Sequence, residues 1–151
     1  MLPLFTDWLP RPEISISREV FDPAIHKTVY RYNYPDIFDH ITKNPKSARD
    51  VLRSLVKTDR FFIVHFVMNI AKANHPFIVE RCESCQDGPQ TGTVDVWARE
   101  HFKSTIITIA STVQRILNDP ECTTVIFSYK KPAAEKFLDV IRKLFENPFL
   151  I

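Results

Sequence analysis

The second half of the sequence alternates twice between a β-rich segment and a segment with helical spacing of apolar residues. The β-rich segments are residues 93–98 and 123–129, and the helical segments are residues 103–118 and 132–145. Two strands that are joined by a helix run parallel and are linked by a right-handed crossover. The alternation therefore predicts an α/β fold with a parallel sheet.

Glycine is scarce in this chain. It has 2 glycines and 11 prolines, and both glycines lie within residues 88–92. So few glycines argue against hairpin-rich β architecture and against a glycine-rich cofactor loop. The hydrophobic fraction of 44% and the charged fraction of 25% are typical of globular proteins, which excludes wholesale disorder. A net charge of +2 does not by itself indicate a nucleic-acid-binding protein.

The composition divides the chain into three regions. Residues 1–45 are rich in proline and aromatic residues, which predicts an irregular N-terminal arm. Residues 46–87 carry apolar residues at helical spacing and predict a small helical lead-in. Its expected helices start at the cap residue Ser47, at about Thr58 and at Pro76. Residues 88–151 hold the strand–helix–strand–helix unit.

The N-terminus and the cysteines indicate a cytosolic chain. No secretory signal pattern precedes the arm, and the apolar run at residues 61–71 is too short to span a bilayer. The 3 cysteines are an odd number, which favours reduced thiols. Cys82 and Cys85 have the spacing of a zinc-ligand pair, but a second pair of ligands is missing, so we favour a half-buried Cys82 on a helix.

The junction between the first strand and its helix carries the main functional signal. It reads WAREHFKST from Trp97 to Thr105. A lysine followed by hydroxyl residues, at the start of a helix that follows a strand, is typical of nucleotide phosphate sites. The lysine reaches the β- and γ-phosphates, and the first hydroxyl is a ligand of Mg²⁺. Lys103 and Ser104 have these residue types in this order.

The junction departs from the usual phosphate loop, G-x-x-x-x-G-K-[ST]. Trp97 stands at the first glycine position and Phe102 at the second. The alternative interpretation of Lys103 and Ser104 is a helix start with a capping hydroxyl and a surface lysine.

The segment DVWAREHFKSTIIT, residues 95–108, resembles the deviant phosphate loop of the large terminase subunits of tailed phages and prophages. These subunits are the ATPases that package DNA. The similarity continues upstream through residues 74–82 and downstream through residues 116–138, and it covers about Phe61 to Leu150. It implies the start of a P-loop NTPase (ASCE-type) parallel sheet behind a helical region, in an incomplete domain.

The resemblance also implies roles for individual residues. Lys103 is expected to bind the β- and γ-phosphates of ATP, and Ser104 to hold Mg²⁺, with Thr105 nearby. Amides from Glu100 to Lys103, through His101 and Phe102, are expected to cradle the phosphates. Arg99 matches an arginine that senses the γ-phosphate. The segment from Asn74 to Gln86 is the candidate adenine pocket.

In the family, ATP hydrolysis drives double-stranded DNA into a procapsid in the bacterial cytoplasm, with the portal protein and the small terminase subunit as partners. A membrane partner is not expected. Such ATPases also need a hydrophobic strand that ends in Asp-Glu, and they carry a nuclease domain. The sequence contains neither, so we expect weak nucleotide binding without turnover. A two-stranded sheet also leaves a face uncovered, which predicts self-association.

Two other functions are compatible with the sequence. One is another P-loop ATPase, for example a helicase-like enzyme. The other is a non-enzymatic helical interaction module in which Lys103 and Ser104 only begin a helix. The basic residues between Lys130 and Lys143 alternate with acidic ones, so a solvated helix face explains them better than DNA binding does.

Overall fold

The computed structural model describes residues 30–88, 94, 96–147 and 150, and the regular structure within them is helical. The helices are α1 (Tyr34–Lys43), α2 (Ala48–Thr58), α3 (Arg60–Phe62), α4 (Pro76–Asp87), α5 (Ser111–Asn118) and α6 (Lys131–Leu144). A first π-helical segment, Ile63–Val67, extends α3, and a second one, Thr105–Ala110, directly precedes α5. Residues Ala71–Ala73 form a 3₁₀ turn. None of the helices within the described ranges has the length and apolar character that crossing a bilayer requires.

The prediction of an α/β fold with a parallel sheet is wrong for the described residues. Residues 123–129 connect α5 to α6 without forming a strand, and residues 94 and 96–98 are irregular. Thr93 and Asp95, within the first expected strand, lie outside the described residues. Alternating apolar and polar side chains favour a β-strand conformation. A strand forms only where a second backbone segment supplies hydrogen bonds, and side-chain alternation does not provide that segment.

The expected helices are present with shifted boundaries. The helix expected from Ser47 corresponds to α2, and the one expected from Pro76 corresponds to α4. The helix expected over residues 103–118 corresponds to the second π-helical segment together with α5, and the one expected from Pro132 corresponds to α6. The helix expected from Thr58 is split into α3, its π-helical extension and the 3₁₀ turn. Within the expected irregular arm, residues 34–43 form α1, and residues 1–29 lie outside the described part.

The core surrounds α3, whose residues are buried on all sides. Phe61, Phe62 and Ile63 are almost completely inaccessible. Equal burial is found for Leu55 and Val56 of α2. It is also found for Ile106 in the second π-helical segment and for Val113 in α5. Each such apolar side chain contributes roughly 1.5–3 kcal/mol by leaving water. This packing fixes the position of the helix that follows Lys103.

Polar side chains connect the same helices at the end of α2. The Nε2 of Gln114 donates to the carbonyl oxygen of Lys57 at 3.2 Å, and the Nδ2 of Asn118 donates to the same oxygen at 3.1 Å. The Nε2 of Gln86 donates to the carbonyl oxygen of Thr58 at 2.8 Å. The last carbonyl groups of a helix receive no hydrogen bond from N–H groups of the same helix. These side chains donate to them instead, and so they join α2 to α4 and α5.

Candidate phosphate-binding turn

The predicted phosphate-binding residues lie at the solvent-exposed N-terminus of a helix. Lys103 and Ser104 are helical and lead directly into the π-helical segment Thr105–Ala110. The first bond of this helix runs from the N–H of Ile106 to the carbonyl oxygen of Phe102, at 2.9 Å. The amides before it have no partner within the helix, and they carry the positive end of its dipole. The side chains of Lys103 and Ser104 are exposed.

The turn before this helix has an uncommon backbone. Glu100 has a φ of 67° and Phe102 has a φ of 58°, so two residues other than glycine adopt the left-handed conformation. For a bulky residue such as Phe102 this conformation is a rare outlier, and it costs on the order of 1–3 kcal/mol. Alternating left-handed residues turn successive amides toward one side, which is the geometry of an anion-binding nest.

The π-helical segment after the turn is the second irregularity at this place. Its residues Ile106, Ile109 and Ala110 are buried in the core, while Ile107 is exposed. Segments of π-helix within α-helices are uncommon and occur frequently at functional sites. Here the segment joins the exposed turn to α5, which contacts the core through Val113 and Gln114.

Helix α4 begins beside the turn. His75 is its cap residue, and the Nδ1 of His75 accepts the N–H of Phe77 at 3.2 Å. The Phe77 ring meets the Trp97 ring with a centroid distance of 6.0 Å and the His101 ring with a centroid distance of 5.8 Å, both edge to face. The guanidinium carbon of Arg81 lies 5.7 Å from the centroid of the Phe77 ring. The start of the expected adenine segment therefore contacts the expected phosphate turn.

Two hydrogen-bond donors in this aromatic cluster are buried without an acceptor. Among the described residues, the Nε of Arg81 and the Nε1 of Trp97 are the buried side-chain donors that lack a partner. A buried donor without an acceptor costs roughly 1–3 kcal/mol, and native proteins contain few. Both donors belong to side chains that pack against Phe77, next to the turn.

The structure brings most of the predicted site residues together at one place. Arg99, Glu100, His101, Lys103 and Ser104 are exposed along the turn and helix start, and Phe102 and Thr105 are half-buried. The Nδ1 of His101 lies 2.8 Å from the carbonyl oxygen of Arg99, which orients the imidazole back along the turn.

Sequence reasoning did not single out Phe77, Arg81 and Trp97. Phe77 and Arg81 lay within the broad adenine segment, and Trp97 was noted only as a replaced glycine. The pattern His75-Pro76 at a helix start was a usable signal, because it places Phe77 in the first turn of α4 at the end that faces the phosphate turn.

The cysteine pair and a metal site are a separate matter. Cys82 lies on a helix, α4, as expected, but it is fully buried and not half-buried. Burial raises the pKa of its thiol, so the thiol is protonated at neutral pH. In the described part of the chain, no three His, Cys, Asp or Glu residues are grouped so that they could hold a metal ion.

The arrangement offers amide donors, one ammonium group and one hydroxyl at a helix start, beside a surface of aromatic rings. Its chemistry suits a ligand with an anionic end and a flat, acceptor-bearing end. A comparison with protein-family models, with curated proteins and with solved structures finds no match. A function for this chain is therefore argued from the geometry of the turn and from the sequence motif.

Proposed function

We propose that the turn from Arg99 to Thr105 binds the phosphate groups of ATP with Mg²⁺, and that the chain is the ATP-binding portion of a phage terminase large subunit. The observation that carries the proposal is the pair of left-handed residues, Glu100 and Phe102, directly before a helix start. An outlier of this kind persists only where the surrounding structure holds it in place, and such outliers cluster at ligand-binding and active sites. In this proposal Lys103 contacts the β- and γ-phosphates and Ser104 is a ligand of Mg²⁺.

In this proposal the aromatic cluster binds the adenine base of ATP. The Phe77 and Trp97 rings supply faces on which a purine can stack. The Nε1 of Trp97 and the Nε of Arg81 have no acceptor among the described residues, so ring nitrogens of a base that enters the cluster would accept from them. Arg99 is exposed on the turn, where its guanidinium can reach a terminal phosphate.

The cellular role follows from the terminase resemblance. ATP-driven packaging of double-stranded DNA into a procapsid would take place in the cytoplasm of the bacterial host, with the portal protein and the small terminase subunit as partners. The sequence has no hydrophobic segment that ends in Asp-Glu, the motif whose glutamate activates water in such ATPases. We expect this chain to bind Mg-ATP without hydrolysing it at motor rates.

Isothermal titration of the purified chain with Mg-ATP tests the proposal. We expect binding by the natural sequence, and a loss of at least about tenfold in Lys103→Ala, because charge-assisted bonds to phosphate contribute more than 1.4 kcal/mol. The matched control is Lys136→Ala, which removes an exposed lysine of α6 and is expected to leave binding unchanged. Equal affinities for the natural chain and Lys103→Ala would contradict the proposal.

A second function is favoured by the absence of strand pairing among the described residues. A non-enzymatic helical interaction module needs neither a sheet nor a nucleotide, and it treats Lys103 and Ser104 as a helix start only. The same titration separates the two functions, because the interaction module predicts no heat of binding with Mg-ATP.

A further inference from the structure

The segment that connects α5 to α6 exposes large apolar side chains. Residues 122–129 (CTTVIFSY) carry no charge. Val125 is 63% exposed, Phe127 is 92% exposed and Tyr129 is 90% exposed, whereas Ile126 packs against the core. The exposed apolar side chains Val125, Phe127 and Tyr129 therefore stand at alternate positions, as they would along one face of a strand.

The backbone of the same segment is not paired. In the described chain, no backbone–backbone hydrogen bond involves residues 123–129. An unpaired extended segment with apolar side chains presents N–H and C=O groups to any second strand, and addition of a strand is the usual way in which such groups are satisfied.

The charges at the two ends of the segment select its partner. Asp119 and Glu121 precede the segment, and Lys130 and Lys131 follow it. An antiparallel second copy places the acidic end of each chain against the basic end of the other, whereas a parallel copy places like charges together. We propose that two copies of this chain associate through antiparallel pairing of residues 122–129. The proposal does not depend on nucleotide binding.

The charges and the aromatic pairs together favour one register. Residues that stand directly opposite each other in an antiparallel pair point to the same face, so a symmetric pair is centred on a residue. Centring on Ile126 places Glu121 opposite Lys131 of the second copy, and Val125 opposite Phe127. Centring on Phe127 loses the charge pair, and centring on Val125 places Asp119 opposite Lys131 but loses the pairs of Val125 with Phe127. The chosen register also creates two pairs of an aromatic and a β-branched residue, which stabilise antiparallel strands.

Sedimentation equilibrium of the full chain over a range of concentrations is the first test. We expect a monomer–dimer equilibrium that Phe127→Lys weakens about 2- to 30-fold, because both aromatic pairs are lost. Leu138→Lys is the matched control: it changes another exposed apolar residue, on α6, and should leave the dissociation constant unchanged. A monomer at all concentrations would overturn the proposal, as would equal weakening by both variants.

A charge exchange tests the register. Glu121→Lys and Lys131→Glu are each expected to raise the dissociation constant about 2- to 30-fold, and the double variant is expected to restore it. Both side chains are exposed, so circular dichroism should show unchanged helix content in every variant. A double variant no tighter than the single variants would overturn the proposed antiparallel register.

Discussion

Asp59 provides a test of how the helical core is stabilised. It lies between α2 and α3 and is buried to 1% exposure. Its Oδ1 accepts the N–H groups of Phe61 and Phe62 at 2.9 Å and 3.3 Å, which caps α3. Its Oδ2 accepts the hydroxyl of Tyr34 from α1. One carboxylate therefore caps the central helix and holds α1 against it.

The expected loss in Asp59→Ala follows from these bonds. Loss of a helix cap costs roughly 0.5–2 kcal/mol, and a buried tyrosine hydroxyl without a partner costs roughly 1–3 kcal/mol. The substitution also removes the cost of burying the carboxylate, so we expect the free energy of unfolding to fall by about 1.5–3 kcal/mol. Asp139→Ala, at an exposed residue of α6, is the control and should change it by less than about 0.5 kcal/mol.

Urea unfolding followed by circular dichroism measures these changes. Tyr34→Phe and the double variant with Asp59→Ala complete a double-mutant cycle, and we expect a coupling energy of about 1 kcal/mol. A coupling energy near zero, or a loss in Asp59→Ala no greater than in Asp139→Ala, would refute the reasoning.

The pH dependence gives an independent result for the same residue. Burial raises the pKa of Asp59 above its ordinary value, and the bonds from Tyr34 and Phe62 offset this only in part. The folded state therefore holds the proton more tightly than the unfolded chain, and this contribution to stability is complete below about pH 4. It is lost as the pH rises through the pKa of the folded state. Asp59→Asn should lack this loss, so the stability of the natural chain relative to Asp59→Asn should fall as the pH rises.

Three further substitutions test the packing, each by urea unfolding. Ile106→Ala should lower the free energy of unfolding by about 2–5 kcal/mol, because Ile106 is 0% exposed, whereas Ile107→Ala, at 37% exposure, should lower it by clearly less. Gln114→Leu should cost about 1–3 kcal/mol, because it leaves buried polar partners unpaired; a neutral result would contradict the proposed link between α2 and α5. Gly88→Ala should destabilise α4 by about 1 kcal/mol or more, since an added Cβ would lie 2.4 Å from the carbonyl oxygen of Ser84; unchanged stability would show that the helix end relaxes freely.

Helices were predictable from the sequence because their signals are local. The apolar spacing of Val51, Leu55 and Val56 is contained within one helix, and Pro76 marks the start of another. The strand predicted at residues 123–129 is absent. Side-chain alternation is a local signal, but a strand also needs a hydrogen-bonding partner, and the local sequence does not show whether one exists. Among the described residues, the observed segment has no backbone hydrogen-bonding partner.

The candidate site was predictable where it depends on neighbours in sequence. Lys103 and Ser104 do begin a helix, as their residue types and position indicated. The contact between Phe77 and Trp97 joins distant segments, and no spacing rule anticipates it. The left-handed conformations of Glu100 and Phe102 carry no sequence signal either, because glycine is the residue that normally marks such positions.

The most direct test of the central claim is a two-dimensional ¹H–¹⁵N spectrum of the chain titrated with Mg-ATP and, separately, with Mg-triphosphate. If the turn binds phosphate through its amides, the largest shifts with both ligands fall on residues 100–105. The nucleotide should in addition shift the indole N–H of Trp97. Unchanged amides at residues 100–105 at saturating ligand would contradict the account.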